Sequence, residues 1–207
     1  MIEPNASDES NAERGRLCAH GIYRRPLNPA DRRFRGPASA AELIDVRTVP
    51  RSRHNPQFNR ETLPHTLSAA GIGYRHMAAL GGLRRAARHS LNGGWRLASF
   101  RGFADYMQTP EFQDAVSQLI ERAKTQRVAI MCAEAVPWRC HRSLIADALV
   151  IRGVRVEDIM TMDRQQPHRL TPFARVDGLR ITYPGETQLT MDDVGTADRN
   201  QRRKRKV

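Results

Sequence analysis

Reactive side chains are concentrated in one segment, RVAIMCAEAVPWRCHRSLIADALV at residues 127–150. An apolar run at 128–131 predicts a buried strand, and the amphipathic stretch after Cys140 predicts a helix. The polar and reactive residues between the two elements are Cys132, Glu134, Arg139, Cys140, His141 and Arg142. Because a helix N-terminus presents N–H groups that have no partner within the helix, this pattern predicts binding of an anion, a phosphate or a carboxylate.

Covalent catalysis by a cysteine thiolate is the first alternative for this segment. A thiolate that faces a helix N-terminus and arginines is a nucleophile in Cys-dependent phosphatases and sulfurtransferases, since those groups lower the thiol pKa. Such phosphate loops place an arginine six residues after the cysteine, where this chain has Trp138, and the loop here contains no glycine. The candidates for a general base are His141 and Glu134. The predicted catalytic residues are therefore His141, Glu134 and Cys132.

A zinc ion bound by Cys132, Cys140 and His141, with Glu134 or His76 as a further ligand, is the second alternative. Adjacent cysteine and histidine residues rarely bind one ion together, and the sequence contains no CxxC pair. We therefore predict neither a metal nor a cofactor. A third interpretation is that both cysteines pack as small apolar side chains.

The elements that must position these residues alternate between strands and helices. Strands are predicted at 42–46, 73–77, 128–131 and 154–160, and helices near 60–70, 100–107, 110–124 and after Cys140. Residues 169–184 predict an arm or a small hairpin. This alternation predicts a single α/β domain with a mostly parallel sheet covered by helices on both faces, which is a Rossmann-like arrangement.

Open α/β sheets bind ligands at the carboxyl ends of their strands. The predicted ligand-binding residues follow predicted strands or stand at the helix start, and they are Asp45, Arg47, His54, Asn55, Gly81, Gly82, Cys140 and Arg142. An unpaired carboxylate in a crevice is costly, so we expect an arginine such as Arg47 or Arg142 to hold Asp45. That pair either contributes to a ligand site or only fixes the position of a loop.

Several motifs occur in order along the chain. They are DVRTVPRSRHNPQFN at 45–59, LGGLR at 80–84, NGGWR at 92–96, FRGFADYMQTPEF at 100–112, CAEAVPWRCHRSLIADAL at 132–149 and HRLTPFARV at 168–176. Over roughly 40–184 the chain resembles the domain of unknown function 488 family. The resemblance implies a strand, a CAE-type turn and a CHR-type helix start. The biochemical activity of that family is not established, so the resemblance implies a fold and a site more than a function.

The opening of the domain departs from the family pattern, in which a first strand ends in a Gly-His-Ser turn and a helix follows. Gly21 matches the turn, but Ile22 and Tyr23 stand where the histidine and serine are expected. Prolines and glycines then interrupt any helical period. Residues 17–39 are therefore either divergent or the product of a frameshift.

Composition limits the remaining possibilities. The 207 residues predict a disordered segment at 1–16, one domain at 17–184 and a disordered basic tail at 185–207. Half of the formal charge of +12 comes from residues 199–207, so the charge alone is weak support for a nucleic-acid partner. No apolar run approaches the ~20 residues that cross a bilayer, and three cysteines form no disulfide framework. We therefore expect a cytoplasmic protein without a membrane partner.

These observations predict a protein that binds a phosphate-bearing small molecule, a nucleotide or the end of a nucleic acid, with hydrolase or transferase activity as an extension of that binding. The alternative is a non-catalytic nucleic-acid-binding accessory protein that uses arginine-rich loops and the basic tail. Neither the oligomeric state nor the presence of an enzymatic activity follows from the sequence.

Overall fold

The computed structural model describes residues 17–21, 40–134, 139–160 and 164–185. The strands are β1 (Leu17–Gly21), β2 (Glu42–Asp45), β3 (Gly73–His76), β4 (Val128–Cys132), β5 (Val156–Ile159), β6 (Gln165–Pro167), β7 (Arg175–Asp177) and β8 (Arg180–Thr182). The helices are α1 (Leu63–Ala69), α2 (Ala98–Tyr106), α3 (Pro110–Thr125) and α4 (Arg142–Val150). The expectations for residues 1–16, 22–39, Trp138 and 186–207 lie outside the described ranges.

The main sheet has the strand order β3-β2-β4-β1-β5-β6. The strands from β3 to β5 in that order are parallel, and β6 is antiparallel to β5. The predicted α/β class and the parallel pairing are confirmed. Strand β1 lies between β4 and β5, so residues 17–21 form a strand although the motif after them departs from the family pattern. The short, polar strand β6 was not predicted, because Gln165–Pro167 lacks an apolar alternation.

Both faces of strand β4 are buried, which explains why its sequence is a continuous apolar run. Val128 and Ile130 belong to the larger hydrophobic cluster, together with apolar residues of α2, α3 and α4. Ala129 and Met131 belong to the smaller cluster, together with Leu63 and other residues around α1. Successive side chains of a strand point to opposite faces, so one strand serves both clusters.

The helix boundaries follow from local chemistry. The Oγ1 of Thr109 accepts a hydrogen bond from the backbone N–H of Phe112 at 3.3 Å, and Pro110 is the first residue of α3, as predicted. Gly153 has φ of +74° just after α4, a conformation that favours glycine at a helix end. No helix in the described ranges is long and apolar enough to cross a membrane.

The predicted hairpin after residue 169 consists of β7 and β8, which pair antiparallel around Gly178. The side-chain amide of Gln108 donates to the carbonyl of Ile181 at 2.7 Å, and the backbone N–H of Tyr183 donates to Asn92 at 2.8 Å. These bonds attach the hairpin to the turn after α2 and to the long loop before that helix.

Candidate functional site

The carboxyl ends of four parallel strands meet at one edge of the sheet. Asp45 is paired with His76 on one side and with Met131 on the other. Gly21 is paired with Cys132. Because these strands end at the same level, the segments that follow β2, β3 and β4 enclose a common space.

A pocket of about 420 Å³ lies at this edge. Its lining residues come from the segment after β2, the segment after β3, the start of α2 and the connection from β4 to α4. They are Arg47, Thr48, Val49, Gly82, Leu83, Ser99, Phe100, Cys132, Ala133, Glu134, Arg139, Cys140 and His141. The pocket therefore combines an apolar wall with thiol, imidazole, carboxylate and guanidinium groups.

Two cysteines and one histidine form a tight cluster in the pocket. The Nδ1 of His141 lies 3.6 Å from the Sγ of Cys140 and 3.9 Å from the Sγ of Cys132. All three donor atoms lie within 4.8 Å of one another. Cys132 is 9% exposed and Cys140 is 4% exposed, so the sulfur atoms form part of the pocket floor and also part of the larger hydrophobic cluster.

The ring of His141 is fixed on three sides. Its Nε2 lies 3.2 Å from the carbonyl oxygen of Val46, which can only accept, so Nε2 carries a proton and Nδ1 faces the sulfur atoms. The ring packs edge-on against Phe103 with 4.9 Å between centroids. A Cβ at Gly82 would lie 2.4 Å from Nδ1, so residue 82 must lack a side chain for this arrangement.

Arg142 is completely buried beside the cluster. Its Nη2 donates to the carbonyl of Glu134 at 2.6 Å, and its Nε donates to the Sγ of Cys140 at 3.3 Å. Its Nη1 has no partner, and no carboxylate in the described part of the chain forms an ion pair with it. A guanidinium remains charged even when buried, and a buried charge is costly unless it is paired. A thiolate at Cys140 would supply the missing negative charge.

The surroundings shift the pKa values of the two thiols in opposite directions. Interaction with the Cys132 thiol, together with His141 and Arg142, lowers the pKa of the Cys140 thiol despite its burial. Interaction with Cys140, together with burial, raises the pKa of the Cys132 thiol. Of the two thiols, Cys140 is therefore the one whose surroundings favour a thiolate.

Of the two arginines expected to hold Asp45, the structure selects Arg47. Its Nε donates to Oδ1 of Asp45 at 2.8 Å, and its Nη2 donates to Oδ2 at 2.5 Å. The hydroxyl of Tyr74 donates to the same Oδ2 at 2.8 Å, and burial followed by the charge of Asp45 raises the pKa of Tyr74. Tyr74 was not among the predicted site residues, although its place in a strand beside β2 is a usable signal.

The predicted site residues divide into two groups. Those that line the pocket are Arg47, Gly82, Cys132, Glu134, Cys140 and His141. Those that do not line it are Asp45, His54, Asn55, Gly81 and Arg142. In the second group, Asp45 and Arg142 are buried directly behind the pocket, whereas His54 is exposed on the loop after β2.

The apolar wall of the pocket was not among the predicted ligand contacts either. Val49, Leu83 and Phe100 come from three segments that are distant along the chain. Val49 and Leu83 are isolated apolar residues in loops and carry no periodic signal, and Phe100 belongs to the apolar face of α2, so their convergence was not predictable from local patterns. Val49 and Leu83 are 61% and 74% exposed, which leaves them available to a bound molecule.

A second polar cluster lies away from the pocket, around the buried carboxylate of Asp147. The oxygens of Asp147 accept hydrogen bonds from His168 Nε2 at 3.0 Å, from the N–H and Oγ1 of Thr171 at 3.1 and 2.7 Å, and from the hydroxyl of Tyr183 at 2.8 Å. The other ring nitrogen of His168 lies 3.1 Å from Asp158. Burial lowers the pKa of His168, but the two carboxylates raise it more, to about 9. This cluster joins α4 and β5 to the hairpin.

Comparison with curated proteins and with solved structures finds no match to the chain. Residues 36–149 match the family described as "Domain of unknown function DUF488". The match covers over half of the chain and includes every residue that lines the pocket. The resemblance in the motifs around β2, α2 and α4 is thereby confirmed, and the chain belongs to the DUF488 family.

Proposed function

We propose that the pocket binds a phosphate-bearing small molecule, a nucleotide or the end of a nucleic acid, and that hydrolysis or group transfer takes place beside Cys132, Cys140 and His141. The observation that carries this proposal is the combination of reactive groups, an exposed arginine and an apolar wall in one cavity of about 420 Å³. Pockets of roughly 300–1,000 Å³ are typical of small-molecule sites.

The charges around the pocket favour an anionic ligand. Arg139 lines the pocket and is exposed. A guanidinium can bind phosphate through two parallel hydrogen bonds. The guanidinium of Arg47 is instead held by Asp45 and the carbonyl of Phe58, so Arg139 is our candidate for the phosphate contact. The apolar wall formed by Val49, Leu83 and Phe100 suits the base or ring of a nucleotide.

The position of the pocket supports the same proposal. We infer that the sheet is Rossmann-like, and in such sheets ligands bind outside the carboxyl ends of the strands. In the hydrolytic reaction a water oxygen forms a bond to phosphorus, the bond from phosphorus to the leaving oxygen breaks, and a general base accepts the water proton. Glu134 and His141 line the pocket and are the candidate bases.

Thermal unfolding of the full chain tests the binding proposal. Inorganic phosphate and a nucleoside monophosphate should raise the thermal midpoint, by about 2.7 kcal/mol of unfolding free energy at 100 times the dissociation constant. The nucleoside without its phosphate should have a smaller effect. Arg139→Ala should lose most of the stabilisation, whereas Arg53→Ala, which removes an exposed arginine outside the pocket, should retain it. Equal stabilisation of the two variants would contradict the proposed site.

The exposed arginines of the long loop before α2 favour a second candidate, non-catalytic binding of nucleic acid. Arg85, Arg88 and Arg96 are exposed, whereas Arg84 is stacked over the ring of Tyr106 at 3.6 Å. Phosphate contacts of this kind make affinity fall steeply with salt concentration. A steep salt dependence that persists in Arg139→Ala and is reduced when residues 199–207 are deleted would favour this candidate over the pocket.

A further inference from the structure

We propose that Cys132, Cys140 and His141 bind a zinc ion whose fourth coordination position opens into the pocket. The inference deepens the proposed function by naming a cofactor for the same site, and it rests on that function only for the role of the open position. The ion binding itself stands on the geometry of the three donor atoms.

Two of the three distances between donor atoms are already close to those that a tetrahedral zinc ion requires, and the third, between the two sulfur atoms, is at most 4.8 Å. Zinc lies about 2.3 Å from sulfur and about 2.0 Å from nitrogen, which places a sulfur and a nitrogen on the same ion about 3.5 Å apart. The Nδ1 of His141 is 3.6 Å from one sulfur and 3.9 Å from the other. A shortening of both nitrogen–sulfur distances by at most a few tenths of an ångström would bring them to the value expected for zinc.

No metal was predicted from the sequence, because adjacent cysteine and histidine residues rarely bind one ion. Here their adjacency is not an obstacle, since the side chains of Cys140 and His141 already converge at the start of α4. The third donor, Cys132, is brought to them from the end of β4. The fold therefore brings together three donor atoms whose proximity was not predictable from the spacing of the motif.

The surroundings of the three donors match those of a metal site. Histidines that bind a metal usually donate their other ring N–H to a carbonyl or carboxylate, which fixes the ring and the tautomer. Nε2 of His141 makes this bond to the carbonyl of Val46. The N–H···S bond from Arg142 to Cys140 stabilises a thiolate, which is the form of cysteine that binds zinc.

The number of donors indicates a catalytic type of site. Structural zinc sites have four protein ligands, whereas catalytic sites have three and keep one position for water or substrate. In the described part of the chain no fourth histidine, cysteine or carboxylate joins the cluster. All three residues line the pocket, so the open position faces the proposed ligand. A zinc ion there would polarise a phosphate oxygen or activate a water molecule.

Charge agrees with this assignment. Two thiolates neutralise the ion, and the guanidinium of Arg142 then adds one positive charge behind the site. With its ion the site therefore carries a net positive charge and attracts an anion. With zinc held by His141, Glu134 becomes the general base of the two candidates.

Cobalt substitution tests the inference independently of any activity. The reduced full chain, freed of metal by a chelator, is titrated with Co²⁺. Wild type should bind one equivalent and develop the visible absorption of tetrahedral cobalt together with a thiolate-to-cobalt charge-transfer band. One equivalent of Zn²⁺ should abolish both features. The matched variants are Cys132→Ser, Cys140→Ser and His141→Gln, which should lose them, and Cys18→Ser, which should keep them.

A second measurement covers the case in which a variant fails to fold. Wild-type protein is alkylated with and without Zn²⁺, and each cysteine is followed by mass spectrometry. Zinc should slow alkylation of Cys132 and Cys140 at least tenfold relative to Cys18. Absence of the cobalt bands in folded wild type, retention of the bands in the ligand variants, or alkylation unaffected by zinc would each overturn the inference. Metal binding without phosphate binding would contradict the proposed function alone, and phosphate binding without metal would contradict this inference alone.

Discussion

The Nε of Arg142 donates a hydrogen bond to the Sγ of Cys140 at 3.3 Å, and both side chains are almost entirely shielded from solvent. A cation at the start of a helix opposes the helix dipole, so it is unfavourable there unless an anion compensates for it. The sulfur of Cys140 provides that compensation from within the same turn. The chemistry of the thiol and the stability of α4 are therefore linked through one contact.

This contact predicts that Cys140 is energetically coupled to Arg142. Cys140→Ala leaves a buried guanidinium without a counter-charge and should lower the unfolding free energy by about 3–5 kcal/mol. Combining it with Arg142→Met should restore at least about 1 kcal/mol relative to additivity, because the second change removes the unpaired charge. Urea unfolding with a chelator and a reductant present measures the cycle without a contribution from metal. Strict additivity would show that the sulfur carries no charge.

Arg47→Met should be strongly destabilising. The variant leaves the fully buried carboxylate of Asp45 with Tyr74 as its remaining side-chain partner, and breaking a buried ion pair costs about 3–5 kcal/mol. The matched control is Arg51→Met, which removes an exposed arginine that lies 3.7 Å from Glu61. That change should alter stability by less than about 1 kcal/mol. Comparable losses of unfolding free energy in the two variants would mean that the ion pair between Arg47 and Asp45 does not stabilise this edge of the sheet.

The His168 cluster predicts a pH dependence of stability. The folded-state pKa of about 9 lies above the reference value of 6.5, so the folded protein holds more protons in this interval. The stabilisation is fully present below about pH 6.5 and is lost as the pH rises through 9. Its size is on the order of 2–3 kcal/mol. Thermal midpoints measured across this interval should fall in wild type and fall much less in His168→Gln; parallel curves would contradict the assignment.

Gly82→Ala should disturb the pocket from its rim. The new methyl group would lie 2.4 Å from His141 Nδ1, and the ring cannot easily move away because it is held by Val46 and Phe103. Such overpacking costs about 1–3 kcal/mol, and binding of Co²⁺ should weaken as well. Gly73→Ala is the matched control, since a methyl group there meets the Glu42 side chain at 3.4 Å in ordinary contact. Unchanged stability of Gly82→Ala would show that His141 has room to move.

The sequence predicted elements far better than it predicted contacts. Strand β4 and helix α3 were predictable because a continuous apolar run and the Thr109 cap act locally. The partner of Asp45 was not decided by the sequence, since Arg47 and Arg142 both stand near the sheet edge. The folded structure decides between the two arginines. The side chain of Arg47 bonds to the carboxylate of Asp45, whereas Arg142 bonds to the carbonyl of Glu134 and to the sulfur of Cys140.

The cysteines show the same limit. The segment between Cys132 and Cys140 has no helical or strand periodicity. No local pattern therefore predicts that the two sulfur atoms lie beside the same imidazole ring. The distance between them is set by the end of β4, the start of α4 and the packing of His141 on Phe103, which are tertiary facts. Roles for His54, Asn55 and Gly81 remain predictions.

The hydrogen bonds of Asp147 have a consequence for where this domain ends. The family match stops at residue 149, but His168, Thr171 and Tyr183, which satisfy this buried carboxylate, all come later in the chain. A protein cut at the family boundary would carry α4 with an unsatisfied charge at its centre. We therefore predict that the smallest unit able to fold on its own extends at least to Tyr183, and that the segment after residue 149 belongs to the same folding unit although the family match does not include it.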